Sequence, residues 1–371
     1  MLRVLISTNL PAPYSVDFFN LLGEKCDLTV VFFHRTAADR VSSWFSSSET
    51  NYKALYLPEK EGKNPPLSLL CHVFSRKYDV YVMYGYSSAP EIVSNLALRL
   101  CGRSFIISAD GAILHPESEA KRRFKRHIIS GADCYLSPNE ETDRYFIHYG
   151  VDREKIRRYH FTSLYERDVL PRPSTEEEKA ALRERLGIRE KTAVVSVGSF
   201  IPRKGFDILL NAWDAADGDA RLYILGGSAP EEYKTIVRDK DLRHVHFVEH
   251  LGKEALAEYY RAADLFVFPT RNDIWGLVVN EALANALPVI STDRCGAALA
   301  MIRDGVNGWI VPGEDAEQLR EKMRQYLALS REQKETMAVN SLASVRDFTM
   351  ETMAEEYYTA IKEFHERHPR R

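Results

Sequence analysis

The chain has 371 residues, 45% of them hydrophobic and 28% charged, with a formal net charge of −3. That length predicts two domains, each with apolar material for its own core, and the composition excludes fibrous and disordered architectures. Slight acidity, with a pI near 6.4, excludes a nucleic-acid binder held by a global positive field. In chain order, LRVLIS (2–7) reads as a buried strand. A secretory leader is not predicted, because the apolar run breaks at Asn9 and Pro11. A helix follows, with Val16, Phe19 and Leu22 at helical spacing. LTVVFF (28–33) and VYVMYGY (80–86) are further strands, then a helix from Ala89 stopped by Gly102, FIISAD (105–110), a basic helix over 119–130, and CYLS (134–137). Strand and helix alternate as in an open parallel sheet.

Residues 170–188 mark a boundary: two prolines, a Ser174…Glu177 capping box and a charged helix ended by Gly187. The alternation then restarts with TAVVSVGS (192–199), a helix at 205–216, RLYILGG (221–227), VHFVEH (245–250), a helix at 253–262, LFVFPT (265–270), a helix at 276–286 and PVIST (288–292). A closing helix places Met350, Met353, Tyr357, Ile361 and Phe364 on one face. The reading is an α/β chain of two Rossmann-like domains, 1–167 and 168–349, facing each other across a cleft, with 350–371 returning to the first domain. In open α/β sheets ligands sit at the carboxyl ends of the strands, so that cleft is the expected site of a nucleotide-handling enzyme.

The stretch 265–292 carries the most chemistry. A buried strand ends at Pro269, a polar loop follows, and Gly276 opens a helix bearing Glu281. Backbone amides from Ile274 through Trp275 and Gly276 to Leu277, at a helix start, suit a phosphate or a sugar hydroxyl. Asp273 and Glu281 stand eight residues apart, one able to accept from sugar hydroxyls and the other from a ribose diol.

DIWGLVVNEALANALPVI (273–290) resembles the signature of the retaining glycosyltransferases of family 4 (group 1), two-domain enzymes of the GT-B fold. It matches at Gly276, Leu277, Glu281, Ala282, Ala284, Pro288 and Val289, and departs at Asp273, where the family has Glu, and at Ala286, where it has Gly. SVGSFIPRKGFDILLNAW (196–213) is similar to a second family segment at Gly198, Lys204, Gly205, Leu209 and Ala212, with Ser199 in the place of the family's Arg and Arg203 beside Lys204 as a substitute. IRDGVNGWIVPGED (302–315) adds to the match. The resemblance implies a sugar transfer with retained configuration, no obligatory metal, and a nucleotide sugar as substrate rather than cofactor. By resemblance, Arg203 and Lys204 neutralise the diphosphate, Glu281 holds the ribose, and Asp273 with the amides of 274–277 holds the sugar; Gly198, Ser199, Gly226, His250 and Leu251 line the donor. Asp110, with His115 nearby, stands where relatives place a His toward the donor sugar, and Pro13 and Tyr14 are candidates for the acceptor, a saccharide or a lipid-linked molecule.

The remaining features have plainer readings. The run KRRFKRH (121–127), with five Lys or Arg in seven residues, is either a solvated helix face or a contact to anionic lipid. The pairs Asp217/Asp219 and Asp239/Asp241 precede strands in polar turns and read as surface. Eleven histidines form no HxH or HExxH cluster, so no metal is expected. Five cysteines without a CxxC read as reduced core thiols. With no apolar run near the roughly eighteen residues a spanning helix needs, the expectation is a cytoplasmic protein, at most peripheral on the inner face of a membrane, in polysaccharide or glycolipid assembly. A nucleotide-sugar epimerase of the same fold and a non-catalytic subunit are the alternatives.

Overall fold

A computed structural model describes residues 1–35, 50–58, 65–213 and 220–369. The chain divides into two compact units, one of residues 1–163 with 348–371 and one of residues 164–347. The first unit holds a seven-stranded sheet: β1 (Arg3–Thr8), β2 (Asp27–Phe32), β3 (Lys53–Tyr56), β4 (Val80–Tyr84), β5 (Ile106–Ser108), β6 (Cys134–Ser137) and β7 (Ile156–Arg158). Its order is β3-β2-β1-β4-β5-β6-β7, and all pairings are parallel. The second unit holds β8 (Thr192–Val197), β9 (Ala220–Leu225), β10 (Val245–Val248), β11 (Leu265–Phe268), β12 (Val289–Thr292) and β13 (Gly308–Val311). Their order is β10-β9-β8-β11-β12-β13, again all parallel. Each unit thus winds outward from a central strand in both directions, the doubly wound Rossmann-like pattern.

Helices cover both faces of such a sheet, so its strands read as continuous apolar runs. All six residues of β8 are buried, including Ser196, whose hydroxyl donates to the Val267 carbonyl at 2.6 Å. Three strands had no counterpart in the sequence pattern, namely β3, β7 and β13. All three are edge strands. In β3 and β7 polar residues, Lys53 in KALY and the two arginines of IRR, break the apolar run, whereas β13, GWIV, is mostly buried and opens on a glycine.

The helix beginning the second unit runs from Glu176 to Leu186. Its cap is one residue later than the sequence suggested. Thr175, not Ser174, accepts from the Glu178 amide at 3.2 Å, and Glu178, not Glu177, answers to the Thr175 amide at 2.8 Å. Both spellings of the box are present. The Thr175 frame wins because Arg172 clamps Glu178 with two bonds, at 2.8 and 2.9 Å. Gly187, at φ 71°, closes the helix in the left-handed conformation.

The closing helix, Met350–Arg367, buries Met350, Met353, Tyr357, Ile361 and Phe364. It lies against the helix Pro13–Gly23, with the Tyr357 ring edge-on to Phe18 at 5.0 Å. The Tyr357 hydroxyl donates to Ser108 Oγ at 2.5 Å at the end of β5. Cys26, Cys134 and Cys295 are buried, but Cys71 and Cys101 are exposed, so the expectation of five core thiols holds for three. No helix among the described residues is long and apolar enough to cross a membrane.

Candidate functional site

In the second unit the winding reverses between β8 and β11, so the loops leaving their carboxyl ends diverge and leave room for a ligand. The loop after β8 contains Gly198, Ser199, Arg203 and Lys204; that after β11 contains Asp273 to Gly276. Backbone contact fits these loops together. At Gly205, φ 71°, a Cβ would collide with the Pro269 carbonyl, and at Gly226 one would collide with the carbonyl of Gly198. Thr270 Oγ1 and the Arg271 amide both donate to the Arg203 carbonyl, at 3.0 and 2.8 Å. The Arg271 guanidinium makes a bidentate pair with Asp207, at 2.8 and 2.7 Å.

This stapling brings three predicted residues to one point. Lys204 Nζ lies 2.6 Å and Arg203 3.0 Å from the same Asp273 oxygen, Oδ2. Lys204 and Asp273 are mostly buried, whereas Arg203 keeps 44% of its side-chain surface. The Lys204 ammonium also lies over the Phe268 ring, 4.8 Å from its centre. Asp273 is fixed through its backbone: its amide donates to Arg294 (2.9 Å) and its carbonyl accepts from Gly296 (3.2 Å).

The helix carrying Glu281 is Leu277–Ala284, with Gly276 at its N-cap. The helix's own amides without an intrahelical acceptor therefore include those of Gly276, Leu277 and Val278. Gly276 has φ 94°, and a Cβ there would stand 2.7 Å from Cys295 Sγ. Ile274 is exposed, but the Trp275 side chain is buried and its indole donates to Asn280 Oδ1 at 2.8 Å. Burial lifts the Cys295 thiol to about 12, which removes it from nucleophilic chemistry near neutrality.

Glu281 belongs to a different hydrogen-bond set from Asp273. Its Oε2 accepts from the hydroxyl of the buried Tyr260 at 3.0 Å. Burial pushes its carboxyl up to about 7, opposed by the Tyr260 bond and by Lys253. Nothing in the local sequence singled out Tyr260. Ser199 and His250 are exposed, with Leu251 partly so, at the ends of β8 and β10.

The first unit has a cavity of about 200 Å³ at the corresponding reversal, between β1 and β4, lined by Asn9, Tyr14, Tyr84, Asp110, Phe161 and others. Asp110 and Tyr14 thus share one cavity; Pro13 is exposed at the helix start beside them, and His115 is exposed. Tyr14 meets Phe161 edge to face at 5.8 Å. The Tyr159 hydroxyl donates to the Ala109 carbonyl at 2.9 Å and reaches Asp110 Oδ1 at 3.3 Å. Burial lifts Asp110 to about 7, against the pull of that bond.

Among the described residues no group of three or more His, Cys, Asp or Glu is placed to hold a metal. Asp217 and Asp219 lie outside the described residues, while Asp241 pairs with Arg243 at 2.9 Å on the surface.

Residues 178–341 match the family model described as glycosyl transferases group 1. The D-inositol 3-phosphate glycosyltransferase of Xylanimonas cellulosilytica is 27% identical over 312 residues, 81% of this chain and 67% of that protein. The protein of that name from Streptomyces bingchenggensis is 33% identical over 226 residues, 56% of this chain and 48% of its own. The chain therefore spans about half to two thirds of the length of these curated relatives. Among solved structures, Anabaena Alr3699/HepE in complex with UDP superposes with a TM-score of 0.78 at 17% identity, covering 98% of this chain and all of that one. Sucrose-phosphate synthase from Thermosynechococcus elongatus gives 0.76 at 18% identity, covering 99% of this chain and all of that one. The chain thus has the GT-B fold, and residues 178–341 carry the signature of the glycosyl transferases group 1.

Proposed function

We propose that the protein is a glycosyltransferase that moves a sugar from a nucleoside-diphosphate donor to an acceptor hydroxyl, with retention of configuration and without an obligatory metal. The observation that carries this reading is the convergence of Arg203, Lys204 and Asp273 at the winding reversal of the group 1 module. Breaking the glycosidic bond leaves extra negative charge on the diphosphate, and two fixed cations stabilise that charge where it develops. Glu281, behind the first turn of its helix, accepts from the ribose diol. Asp273 and the amides at that helix start accept from and donate to the sugar. The departing phosphate helps remove the acceptor proton on a front-face path through an oxocarbenium-like transition state. The acceptor, a saccharide or lipid-linked molecule, is presented by the first unit around Tyr14 and Asp110. Relatives named D-inositol 3-phosphate glycosyltransferase and the HepE complex with UDP favour a sugar nucleotide as donor.

Calorimetric titration of UDP, GDP and ADP, without added metal, into wild type and Glu281→Ala tests the reading. Selective binding of one nucleotide, lost in the variant, supports it and fixes the donors to try for transfer. Absence of binding by all three overturns it. A non-catalytic role is favoured by Ser199, an exposed serine where the family has an arginine, and by Asp273, where the family has Glu. Sugar transfer appearing only in Ser199→Arg with Asp273→Glu would establish that role for the natural chain.

A further inference from the structure

We propose that Asp273 is the resident counter-ion of Lys204 and Arg203, that the donor diphosphate displaces it, and that this exchange frees Asp273 to receive the sugar. The proposal rests on the donor-site reading above and adds to it an order of events.

The geometry sets up a competition. Lys204 and Arg203 aim at a single carboxylate oxygen, Asp273 Oδ2, at 2.6 and 3.0 Å. The cations meant for a phosphate are thus already spent on an acid of the same site. The backbone of Asp273 is held on both sides by Arg294 and Gly296, so the exchange needs only a side-chain rotation. Arg203 keeps a second partner throughout, the Asn272 carbonyl at 3.0 Å, and Lys204 keeps the Phe268 ring. Neither cation need swing away when the carboxylate leaves.

Two cations against one carboxylate leave a surplus positive charge, which a diphosphate with two or three negative charges satisfies better than the carboxylate does. The displaced carboxylate is then a mostly buried anion beside a second anion. That is unfavourable unless something donates to it. The hydroxyls of an attached sugar do so, whereas a bare diphosphate or a nucleoside diphosphate does not. Asp273 therefore penalises the sugar-free product and favours the intact donor. A free sugar finds the same carboxylate occupied by Lys204 and Arg203.

The test is calorimetry with inorganic diphosphate, UDP, GDP and ADP on wild type, Asp273→Asn and Lys204→Ala. Removing the competing charge makes Asp273→Asn bind inorganic diphosphate and the preferred nucleoside diphosphate roughly tenfold more tightly, while Lys204→Ala binds both roughly tenfold more weakly. A thermal melt checks that each variant folds, and Asp273→Ser replaces the asparagine if that variant does not. Binding by wild type with equal or weaker binding by the Asp273 variant overturns the counter-ion proposal and leaves the donor site standing. No binding of any probe to wild type or variant overturns the donor-site reading, and the counter-ion proposal with it.

Discussion

Tyr260 donates its hydroxyl to Oε2 of Glu281 at 3.0 Å from within the core of the second unit. The bond stabilises the ionised carboxylate and so works against burial, which favours the protonated form. Other charges near Glu281 are Lys253, which also favours ionisation, and Asp168, which opposes it. These two are themselves paired at 2.7 Å. Burial therefore raises the pH at which Glu281 becomes a full acceptor, and the tyrosine holds it below what burial alone would give. With the nucleotide ribose on Glu281, affinity rises with pH through about 7 in the wild type. Tyr260→Phe shifts that rise upward by roughly one pH unit. Titration of the ligand's own phosphate is common to both proteins and cancels in the comparison. Calorimetry of the preferred nucleotide from pH 5.5 to about 9 checks it; coincident profiles would remove Tyr260 from the site.

Two acids with raised values make stability depend on pH. Asp110 and Glu281 ionise near 3.8 and 4.5 when unperturbed but near 7 in the folded chain. The native state therefore holds protons that the unfolded state has lost, and stability falls as pH rises from about 4 to about 7. Removing the charge relieves the penalty above that window and changes little below it. Asp110→Asn and Glu281→Gln each gain on the order of 1–3 kcal/mol at pH 8 and almost nothing at pH 4. Thermal melts at the two pH values measure this. A gain equal at both would mean the substitution acts through packing.

How far the sequence carried the fold depended on burial. Strands covered on both faces, such as TAVVSV in β8, announce themselves as apolar runs. The edge strands β3 and β7 do not, because one side faces solvent and tolerates Lys53, Arg157 and Arg158, and β13, GWIV, is mostly buried but is only four residues long and opens on a glycine. At the site, motif spacing marked Lys204 and Asp273, and the structure joins them in one ion cluster. Spacing alone gave no sign that Arg203 and Lys204 share one oxygen of Asp273, since that follows from how two loops 69 residues apart in sequence are stapled. Tyr260 was invisible for a related reason. Its role is a tertiary hydrogen bond from the preceding helix, and a tyrosine in a YYRA stretch looks like ordinary core.

The basic helix Glu119–Ile129 offers a separate test. Phe124 is exposed, and Arg122 and Arg123 are partly engaged by Glu119 at 2.7 and 3.1 Å. Exposed pairs of this kind contribute little and yield readily to a stronger anionic surface. If the helix contacts lipid, replacing Arg122, Arg123 and Arg126 together by Ser reduces co-sedimentation with phosphatidylserine vesicles roughly tenfold or more, at about 1 kcal/mol per cation. Unchanged co-sedimentation would assign the run to a solvated face.

Ala286 is the clearest case of a departure from the family pattern with a structural cost. It stands where the family has glycine, and its φ is 62°, in the left-handed region. It follows the helix Leu277–Ala284, and its amide bonds to the Leu283 carbonyl at 3.0 Å, so the positive φ belongs to the turn that ends the helix. An L-residue there carries a steric penalty of about 1–2 kcal/mol that glycine lacks. Glycine in turn gains entropy in the unfolded chain, which offsets about 0.5–1 kcal/mol. The net expectation for Ala286→Gly is a gain of about 0.5–1 kcal/mol, or roughly 1–4 °C in the melting of a unit this size. Because the turn leads into β12 and not into the loops around Asp273, nucleotide affinity stays at the wild-type value. A fall in melting temperature would show that the methyl group, buried at 6% exposure, contributes more through packing than it loses through backbone strain.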